Sequence, residues 1–369
     1  NNSFTLRDSA GNDTATVNID FVKIPSVIET INYASGVKAL PYWIDSIIHD
    51  EAANSSGLLK GTKTLYYNFP SEVPDYANEK DSFGWQAFNV AQQEFTKLAL
   101  NYIATLIDIT FSEINSPNNL NTLSFANNTN ETGGYARLPH LENFSGNDVL
   151  IDKDLEDGSP KEANLDPKEG TFSAYIWIHE IGHALGLKHP HGEPHQITGH
   201  TATPPYLPDT EDTTAWTVMS YNHSPSEYYI KFNPLDIAAL HYLYGPSPAS
   251  RAGNDTYTFD PANANFIWDG AGTDTIDASG AEEKVTVYLE PGYWGFKGEA
   301  KADTITSNGQ ITVNFGTKIE NLIGSNFDDH LVGNELNNLI TGGGGSDSLD
   351  GLEGIDTAVY TVNFDEATL

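Results

Sequence analysis

Residues 178–190 of this chain read IHEIGHALGLKHP and place histidines at positions 179, 183 and 189. On an α-helix His179 and His183 are four residues apart, so their side chains point to the same side. A separate stripe of apolar residues follows the helical period, namely Ala174, Ile178, Ile181 and Leu185. The segment therefore predicts a helix that packs on a core with one side and presents two imidazoles to a cleft with another.

A third histidine follows the same helix after a glycine. Gly186 permits the left-handed backbone that ends a helix, so the chain can reverse and bring His189 back toward the other two. Three neutral imidazoles and a water make an open, four-coordinate zinc site of the catalytic type, which lowers the pKa of the water. Glu180 is placed to take that water's proton and pass it to a leaving amine. The alternative is a chance match on an ordinary amphipathic helix, which five specified residues at fixed spacing make rare.

The composition excludes several classes of site and partner. The 369 residues include 18 Lys and Arg against 51 Asp and Glu, which gives a net charge of −33, and they include no cysteine. Phosphate binding needs a basic face, so nucleic acid and anionic membrane surfaces are not expected partners. Disulfides, thiolate metal sites and cysteine nucleophiles are excluded, and no apolar run of about 18 residues predicts a membrane span. The acid excess is explained by solubility or by binding of hard cations.

The pattern of apolar residues indicates two kinds of domain after an initial β-hairpin at residues 3–22. Strands are predicted at 64–69, 107–111, 123–126, 135–138 and 148–151, with a long helix over residues 83–104. Helix signals end near Gly245, and Gly, Asn, Asp and Thr dominate beyond it. The predicted organisation is a hairpin at 1–24, a mixed α/β (α+β) domain at 25–245 and an all-β domain at 246–369.

A nine-residue repeat occupies the last part of the chain. Glycines at 324, 333, 342 and 351 begin the segments GSNFDDHLV, GNELNNLIT, GGGGSDSLD and GLEGIDTAV. The repeat resembles the calcium-binding nonapeptide of RTX proteins, in which glycine-rich turns offer oxygen ligands and short strands point an apolar side chain inward. A flexible linker is the alternative, but a linker needs no aspartate and aliphatic columns in register. The calcium-binding residues predicted here are Gly324, Asp329, Gly333, Asn338, Gly342, Gly344, Asp347, Gly351 and Asp356.

The zinc motif resembles that of the metzincin peptidases, whose second hallmark is a methionine turn downstream. The only methionine of the chain is Met219, in the sequence TVMSY at 217–221. The resemblance implies that Met219 underlies the three imidazoles, although a lone methionine is also common as core filler. Tyr221 matches a tyrosine of the serralysin and astacin branches, which implies that it binds zinc at rest and stabilises the oxyanion during hydrolysis. A purely structural tyrosine is the alternative.

Resemblance to the serralysin-type secreted peptidases extends over about residues 40–369. Residues 233–245 resemble the helix that closes the serralysin catalytic domain, and Gly134, Tyr135, Ala136 and Arg137 resemble the edge strand along which a peptide substrate pairs. The resemblance implies a zincin/metzincin catalytic domain followed by a parallel β-roll. It also implies calcium sites outside the full repeats, at Arg251, Gly253, Asp255 and Glu320, and at a degenerate repeat with Asp269, Gly272 and Asp274.

Two departures from that family are visible. The segment between His189 and Met219 carries three further histidines, at 191, 195 and 200. A solvated loop that also shapes the cleft, a second metal site, and a spare ligand in place of His189 are the interpretations considered. The sequence opens without a basic and apolar leader and stops at Leu369 soon after the fourth repeat, so a fragment or trimmed form of a larger secreted chain is expected.

These features predict a secreted zinc endopeptidase of bacterial RTX-type export, stabilised by calcium. The cofactors are one catalytic Zn²⁺ held by His179, His183, His189 and Tyr221, and several structural Ca²⁺. The expected partners are protein or peptide substrates and a proteinaceous inhibitor, and the chain is expected to be a monomer. Two alternatives stay open: a non-catalytic RTX adhesive or structural module, and a narrow-specificity processing protease acting on a partner adhesin or toxin.

Overall fold

The structure is a computed structural model, and it describes residues 2–7, 13–19, 40–49, 62–115, 121–130, 133–137, 147–155, 157–192 and 204–360. The chain forms two compact units: residues 42–247 make one, and residues 1–41 together with 248–369 make the other. Within the described residues, no helix has the length and apolar character needed to cross a bilayer.

The first two described strands form the predicted hairpin. Strands β1 (Asn2–Arg7) and β2 (Asp13–Ile19) pair in the antiparallel direction. The turn at 8–12 and residues 20–22 lie outside the described residues. Strand β1 also pairs in parallel with the end of the repeat region, where Arg7 lies opposite Val359. The hairpin therefore adds two strands to a sheet of the unit that contains residues 248–369.

The unit formed by residues 42–247 is a mixed α/β structure built on one sheet. Its strands are β3 (Thr64–Asn68), β4 (Gln86–Ala87), β5 (Thr110–Glu113), β6 (Thr122–Asn128), β7 (Gly134–Ala136) and β8 (Asn147–Asp152). The order across the sheet is β5-β3-β6-β8-β7, and β4 adds to β6. Strands β5, β3, β6 and β8 are parallel, whereas β7 runs antiparallel to β8 at the edge of this order.

Six helices are described in this unit. They are α1 (Tyr42–Asp45), α2 (Glu79–Ser82), α3 (Val90–Leu106), α4 (Glu162–Leu165), α5 (Phe172–Ala184) and α6 (Pro234–Tyr244). The long helix α3 starts seven residues later than the predicted residue 83, because Asn89 and Gln92 form a capping box at its start. Phe95, Ala99 and Ile103 on this helix are buried, whereas Leu98 is 50% exposed.

Helix α5 carries the histidine motif and lies in the core of this unit. The apolar stripe predicted from the sequence is fully buried. The Trp177 ring packs against Phe88 and Phe95, and its centroid lies 5.7 Å from the ring centroid of each. The Trp177 indole donates a hydrogen bond of 2.9 Å to Thr96 Oγ1 on α3, so burial of its polar atom is compensated. The Tyr244 hydroxyl on α6 donates to the Leu185 carbonyl just past the end of α5. Both contacts fix the position of the motif.

The other unit consists of short strands in two sheets. The strands are β9 (Thr256–Thr258), β10 (Asn265–Ile267), β11 (Thr275–Asp277), β12 (Val285–Tyr288), β13 (Gly295–Lys297), β14 (Gln310–Val313), β15 (Asn321–Ile323), β16 (His330–Val332), β17 (Leu339–Thr341), β18 (Ser348–Asp350) and β19 (Thr357–Val359). One sheet has the order β2-β1-β19-β17-β15-β11-β9, and the other has the order β10-β14-β13-β12-β16-β18. Most of these pairings are parallel, with β13 antiparallel to both neighbours.

The nonapeptides alternate between the two sheets. Leu331 on β16 lies opposite Leu349 on β18, and Ile340 on β17 lies opposite Ala358 on β19, so equivalent residues 18 apart are neighbours. These four residues form the eighth column of the repeat, and all are buried in one apolar cluster with side chains such as Val287 and Leu322. An apolar residue at the centre of each short strand therefore builds the core of this unit.

Candidate functional site

The three histidines of the motif converge through their Nε2 atoms. His189 Nε2 lies 3.2 Å from His179 Nε2 and 3.0 Å from His183 Nε2. Each helical imidazole is oriented from its other nitrogen, because His179 Nδ1 lies 2.8 Å from the Val218 carbonyl and His183 Nδ1 lies 2.8 Å from the Leu187 carbonyl. A carbonyl accepts only from N–H, so both Nδ1 atoms carry the proton and both Nε2 atoms present lone pairs.

This arrangement fits a metal ion. The lone pairs of His179 Nε2 and His183 Nε2 face His189 Nε2 at 3.2 Å and 3.0 Å, and such close nitrogens repel unless a proton or a cation lies between them. His189 Nε2 can carry only one proton, so it cannot donate a hydrogen bond to both. Ligand bonds of about 2.0–2.1 Å in a tetrahedron put neighbouring nitrogens about 3.3 Å apart, which is close to the observed spacing. Burial also lowers the pKa of His179 to about 3, which keeps this imidazole in the neutral form that binds metal.

The turn between the helix and His189 is the predicted one. Gly186 has φ of +104°, the left-handed conformation that reverses the chain after α5. Met219 is fully buried, and a methyl group placed on Gly182 of the motif helix would lie 2.9 Å from its sulfur. The methionine segment therefore packs directly against the motif helix.

Asp236 holds the methionine segment and was missed in the sequence analysis. Its buried carboxylate accepts hydrogen bonds from the Thr217 hydroxyl at 2.6 Å and from the Val218 N–H at 2.8 Å. The Val218 carbonyl is the group that orients His179, so Asp236 supports the orientation of His179 through one residue. The signal was present in Asn233-Pro234-Leu235-Asp236, which forms a capping box with proline at the first helical position.

Glu180 faces the edge strand β7. Its side chain is 7% exposed, and burial raises its pKa to about 8. One carboxylate oxygen accepts a hydrogen bond from the Ala136 N–H. The other, Oε2, is buried and has no hydrogen-bond partner among the described residues. A carboxyl group that titrates near neutral pH and has one uncommitted oxygen is suited to exchanging a proton with a bound molecule.

Three of the four predicted edge-strand residues form β7, and Arg137 follows the strand. The Arg137 N–H donates to the Asp148 carbonyl, and Gly133 accepts from the Asp152 N–H, so the odd-numbered residues bond to β8. The N–H and C=O groups of Gly134 and Ala136 therefore point away from β8, toward the side where Glu180 lies. The predicted strand end at Leu138 lies outside the described residues.

A buried acidic residue anchors the same strand and was also missed. Asp81 on α2 accepts a hydrogen bond of 2.5 Å from the Tyr135 hydroxyl and pairs with the Arg137 guanidinium. Asp81 itself belongs to a capping box with Asn78. Because 54 residues separate Asp81 from Tyr135 along the chain, no local pattern links them.

Tyr221 lies beside the imidazoles. Its ring centroid is 4.5 Å from that of His189 and 5.8 Å from that of His179. The side chain is 51% exposed, which leaves it accessible to a bound molecule. The structure thus brings Tyr221 into contact with the histidine cluster.

Of the three further histidines, His191 lies next to this cluster. Its ring is parallel to that of His189 within 1°, and its Nδ1 lies 3.0 Å from Asp212 Oδ2. Asp212 was not considered in the sequence analysis. His195 and His200 lie outside the described residues.

A cluster of carboxylates lies in the second unit at the degenerate repeat. Asp255, Asp269 and Asp274 each offer an oxygen within 4.8 Å of the others. Asp269 Oδ1 and Asp274 Oδ2 are buried without a hydrogen-bond partner among the described residues. Burial, followed by the charge of Asp269, raises the pKa of Asp274 to about 6. Clustered oxygens without donors are the ligand set that calcium prefers.

The remaining residues of that predicted site lie around the cluster. Glu320 Oε2 accepts from the Asp274 N–H at 2.8 Å, and a methyl group on Gly272 would collide with the Gly253 carbonyl. Arg251 has φ of +48°, and its guanidinium lies 3.9 Å above the Trp268 ring and donates to the Trp268 carbonyl. The Arg251 side chain is therefore committed to Trp268.

In the full repeats the sixth-position side chains link successive turns. Asp347 Oδ1 accepts from the Asp329 N–H at 3.0 Å, and Asp356 Oδ1 accepts from the Asn338 N–H at 2.9 Å. Burial raises the pKa of Asp347 and raises that of Asp356 to about 6. The repeat glycines leave room for these groups, because a methyl on Gly324, Gly333, Gly342 or Gly351 would meet the sixth-position side chain of its own repeat. Gly344 donates its N–H to the Ser325 carbonyl.

Comparison with known proteins identifies related chains. The chain is 30% identical over 323 residues to metalloprotease AprA of Pseudomonas entomophila, a match that covers 80% of this chain and 64% of that protein. It is also 30% identical over 317 residues to serralysin G of Dickeya chrysanthemi, covering 78% of this chain and 62% of the relative. The chain is similar to serralysins and to metalloprotease AprA.

Serralysin of Proteus mirabilis is a further relative, at 29% identity over 73% of this chain and 61% of that protein. The chain thus spans a little under two thirds of the length of the serralysins it matches. No protein-family model matches it. Among solved structures, myroilysin aligns with 49% of this chain and 92% of its own at 15% identity, with a TM-score of 0.27, which is too low to compare the folds.

Proposed function

We propose that this chain is a secreted zinc-dependent endopeptidase that hydrolyses peptide bonds in proteins. The observation that carries the proposal is the convergence of His179 Nε2 and His183 Nε2 on His189 Nε2, at 3.2 Å and 3.0 Å. Glu180, which follows His179 on the helix, is buried and has one uncommitted oxygen. His179, His183 and His189 would hold the metal, with Tyr221 as a further ligand. Similarity to serralysins supports the reaction class, and their designation as metalloproteases supports a metal.

Glu180 is the proton carrier in this proposal. When bound, zinc would polarise the scissile carbonyl and lower the pKa of an attacking water. Glu180 Oε2 takes the proton of that water, and the carboxyl group then delivers it to the amine that leaves when the C–N bond breaks. The carboxyl oxygen bonded to Ala136 stays fixed, so Oε2 is aimed during both transfers. The Tyr221 hydroxyl donates a hydrogen bond to the oxygen on which negative charge develops.

The substrate in this proposal is an extended peptide that pairs with β7. The Ala136 carbonyl, which points away from β8, offers a main-chain hydrogen bond that does not depend on the substrate's side chains. The Ala136 N–H is already bonded to Glu180, so the substrate would lie beside that carboxyl group. Anchoring of Tyr135 and Arg137 by Asp81 keeps the strand in place. This mode of binding predicts cleavage of unfolded proteins, because a folded substrate does not present a free strand.

The second unit is proposed to be a calcium-bound parallel β-roll. Its support is the 18-residue spacing of paired strands and the buried carboxylate oxygens without donors at Asp269, Asp274 and Asp356. Calcium bound to the folded state alone would add stability outside the cell, where calcium is abundant. We further propose a monomer, RTX-type export and control by a proteinaceous inhibitor.

The decisive experiment compares Glu180→Gln with wild type in zinc- and calcium-replete buffer. The variant should retain one zinc per chain by metal analysis and lose casein cleavage, while Glu162→Gln, an exposed control on α4, should keep both. Unchanged casein turnover by Glu180→Gln would overturn the role of Glu180. A wild-type chain that cleaves nothing would favour the adhesive module, and cleavage of one native partner without casein would favour a processing protease.

A further inference from the structure

His191 and Tyr221 form a contact that the proposed mechanism does not use. The Tyr221 ring lies across two parallel imidazoles, with centroids 4.5 Å from His189 and 5.1 Å from His191. The interplanar angles are 54° and 53°, so the phenol meets both rings in the same tilted orientation. One of these rings belongs to the proposed zinc site, and the other does not.

His191 is held in place by Asp212. The Nδ1–Oδ2 distance is 3.0 Å, and both side chains are mostly buried, at 21% and 19% exposure. His191 follows His189 by two residues, and Asp212 precedes the segment that carries Met219 and Tyr221. The bond therefore joins the chain leaving the third histidine to the chain entering the methionine segment.

We propose that His191, fixed by Asp212, is a positioning residue for Tyr221. The inference rests on the proposed function, because it concerns the tyrosine that would stabilise the oxyanion. Tyr221 is 51% exposed, and its phenol packs beside the parallel rings of His189 and His191, whose centroids are 5.5 Å apart. Of these two rings, that of His191 is not a proposed zinc ligand, so it can be changed without removing a ligand.

Removal of the His191 ring should weaken binding of the transition state more than binding of the substrate. Loss of a positioned oxyanion donor costs about 100- to 1,000-fold in kcat, and a donor that is present but loosely held should cost less. We expect His191→Ala to lower kcat about tenfold with KM unchanged, since the peptide binds along β7. The affinity for a phosphinic peptide, which mimics the tetrahedral oxyanion, should fall by about the same factor, measured by calorimetry.

Two substitutions separate ring packing from loop closure. His191→Phe keeps an aromatic ring but loses the hydrogen bond to Asp212, whereas His191→Gln keeps a hydrogen-bonding group but loses the ring. If the ring positions Tyr221, Phe should restore most of the lost kcat and Gln should not. If Gln restores kcat and Phe does not, the inference is overturned. The His191–Asp212 hydrogen bond would then act by holding residues 191 and 212 together.

A double-mutant cycle with Tyr221→Phe gives the final test. In that background His191→Ala should cause no further loss of kcat or of phosphinic peptide affinity, because the hydroxyl it positions is already absent. Equal losses in both backgrounds would overturn the inference while leaving the peptidase assignment intact. A wild-type chain that binds zinc but neither cleaves casein nor binds the phosphinic peptide would instead overturn the proposed function, and this inference with it.

Discussion

His179 and His189 meet through their Nε2 atoms at 3.2 Å, although the first lies within a helix and the second beyond its end. Since His179 Nδ1 is committed to the Val218 carbonyl, the facing nitrogen presents a lone pair. The pair is therefore prepared for a cation, and the helix end at Gly186 is what creates it.

Substitution of His189 by Ala should weaken zinc binding by at least about 100-fold, since loss of a ligand should exceed the 10- to 100-fold cost of losing a supporting group. His191→Ala should leave zinc affinity within about threefold, because its Nδ1 is committed to Asp212. Zinc dissociation constants from chelator competition measure both. Retention of tight binding by His189→Ala, lost only when His191 is also replaced, would show that His191 substitutes as a ligand.

Gly134 leaves the space that Glu180 occupies. A methyl group at this position would lie 3.0 Å from Glu180 Cγ and 3.1 Å from Ile176 Cγ2. We expect Gly134→Ala to displace the carboxylate and lower kcat/KM about tenfold, with zinc content unchanged. Gly280→Ala is the control, since no atom lies within 4 Å of the added methyl group. Full activity of Gly134→Ala would show that Glu180 tolerates a shift of its stem.

The sequence predicted those parts of the site that depend on local spacing. The four-residue spacing from His179 to His183 and a glycine before His189 determine the histidine cluster, and these rules act over short stretches of chain. The nine-residue period likewise predicted which side chains enter the core of the second unit, because each strand carries one apolar residue at its centre. Tyr221 could be placed near the three histidines through resemblance to a family.

Contacts between distant segments were not predictable in the same way. Asp81 and Tyr135, or His191 and Asp212, are joined by the fold, and a single sequence contains no record of such pairs. The start of α3 was misplaced for a different reason. Apolar residues from Phe83 onward suggested helix, but Gly84 adopts φ of +65° and the capping box at Asn89 sets the boundary.

Stability should depend on pH through Asp148, next to the edge strand. Burial raises its pKa to about 7, against its ordinary value of 3.8, while the Tyr76 hydroxyl and the charge of Arg137 act in the opposite direction. The folded state therefore holds a proton that the unfolded state releases, so the contribution of Asp148 to stability is fully present below pH 3.8 and is lost as the pH rises through 7.

Asp148→Asn should remove this dependence. Between pH 5 and 8 the wild type should lose about 2 kcal/mol of unfolding free energy relative to the variant, so the variant should gain in relative stability with pH. Urea unfolding of both chains at several pH values, followed by tryptophan fluorescence, measures the difference. A constant difference across that range would show that Asp148 titrates at its ordinary pKa.

The carboxylate cluster at Asp255, Asp269 and Asp274 should couple calcium to stability in the second unit. Saturation at 100 times the dissociation constant adds about 2.7 kcal/mol per site that exists only in the folded state. Without calcium, Asp274 is a buried group whose pKa is raised to about 6, so its charge is unfavourable at neutral pH. Removal of that charge should then have opposite effects in the two conditions.

Asp274→Asn should match or exceed wild-type stability in a calcium chelator, and it should gain less than the wild type on addition of calcium, by about 1–2 kcal/mol. Asp303→Asn, at an exposed position, should follow the wild type in both conditions. Calorimetric scans with and without calcium at pH 7.5 resolve the two effects, and calcium titration gives the number of sites lost. An equal calcium gain in wild type and Asp274→Asn would exclude this cluster as a calcium site. A loss of stability in the chelator would instead mean that the carboxylate's hydrogen bond to the Asp255 N–H outweighs the repulsion around it.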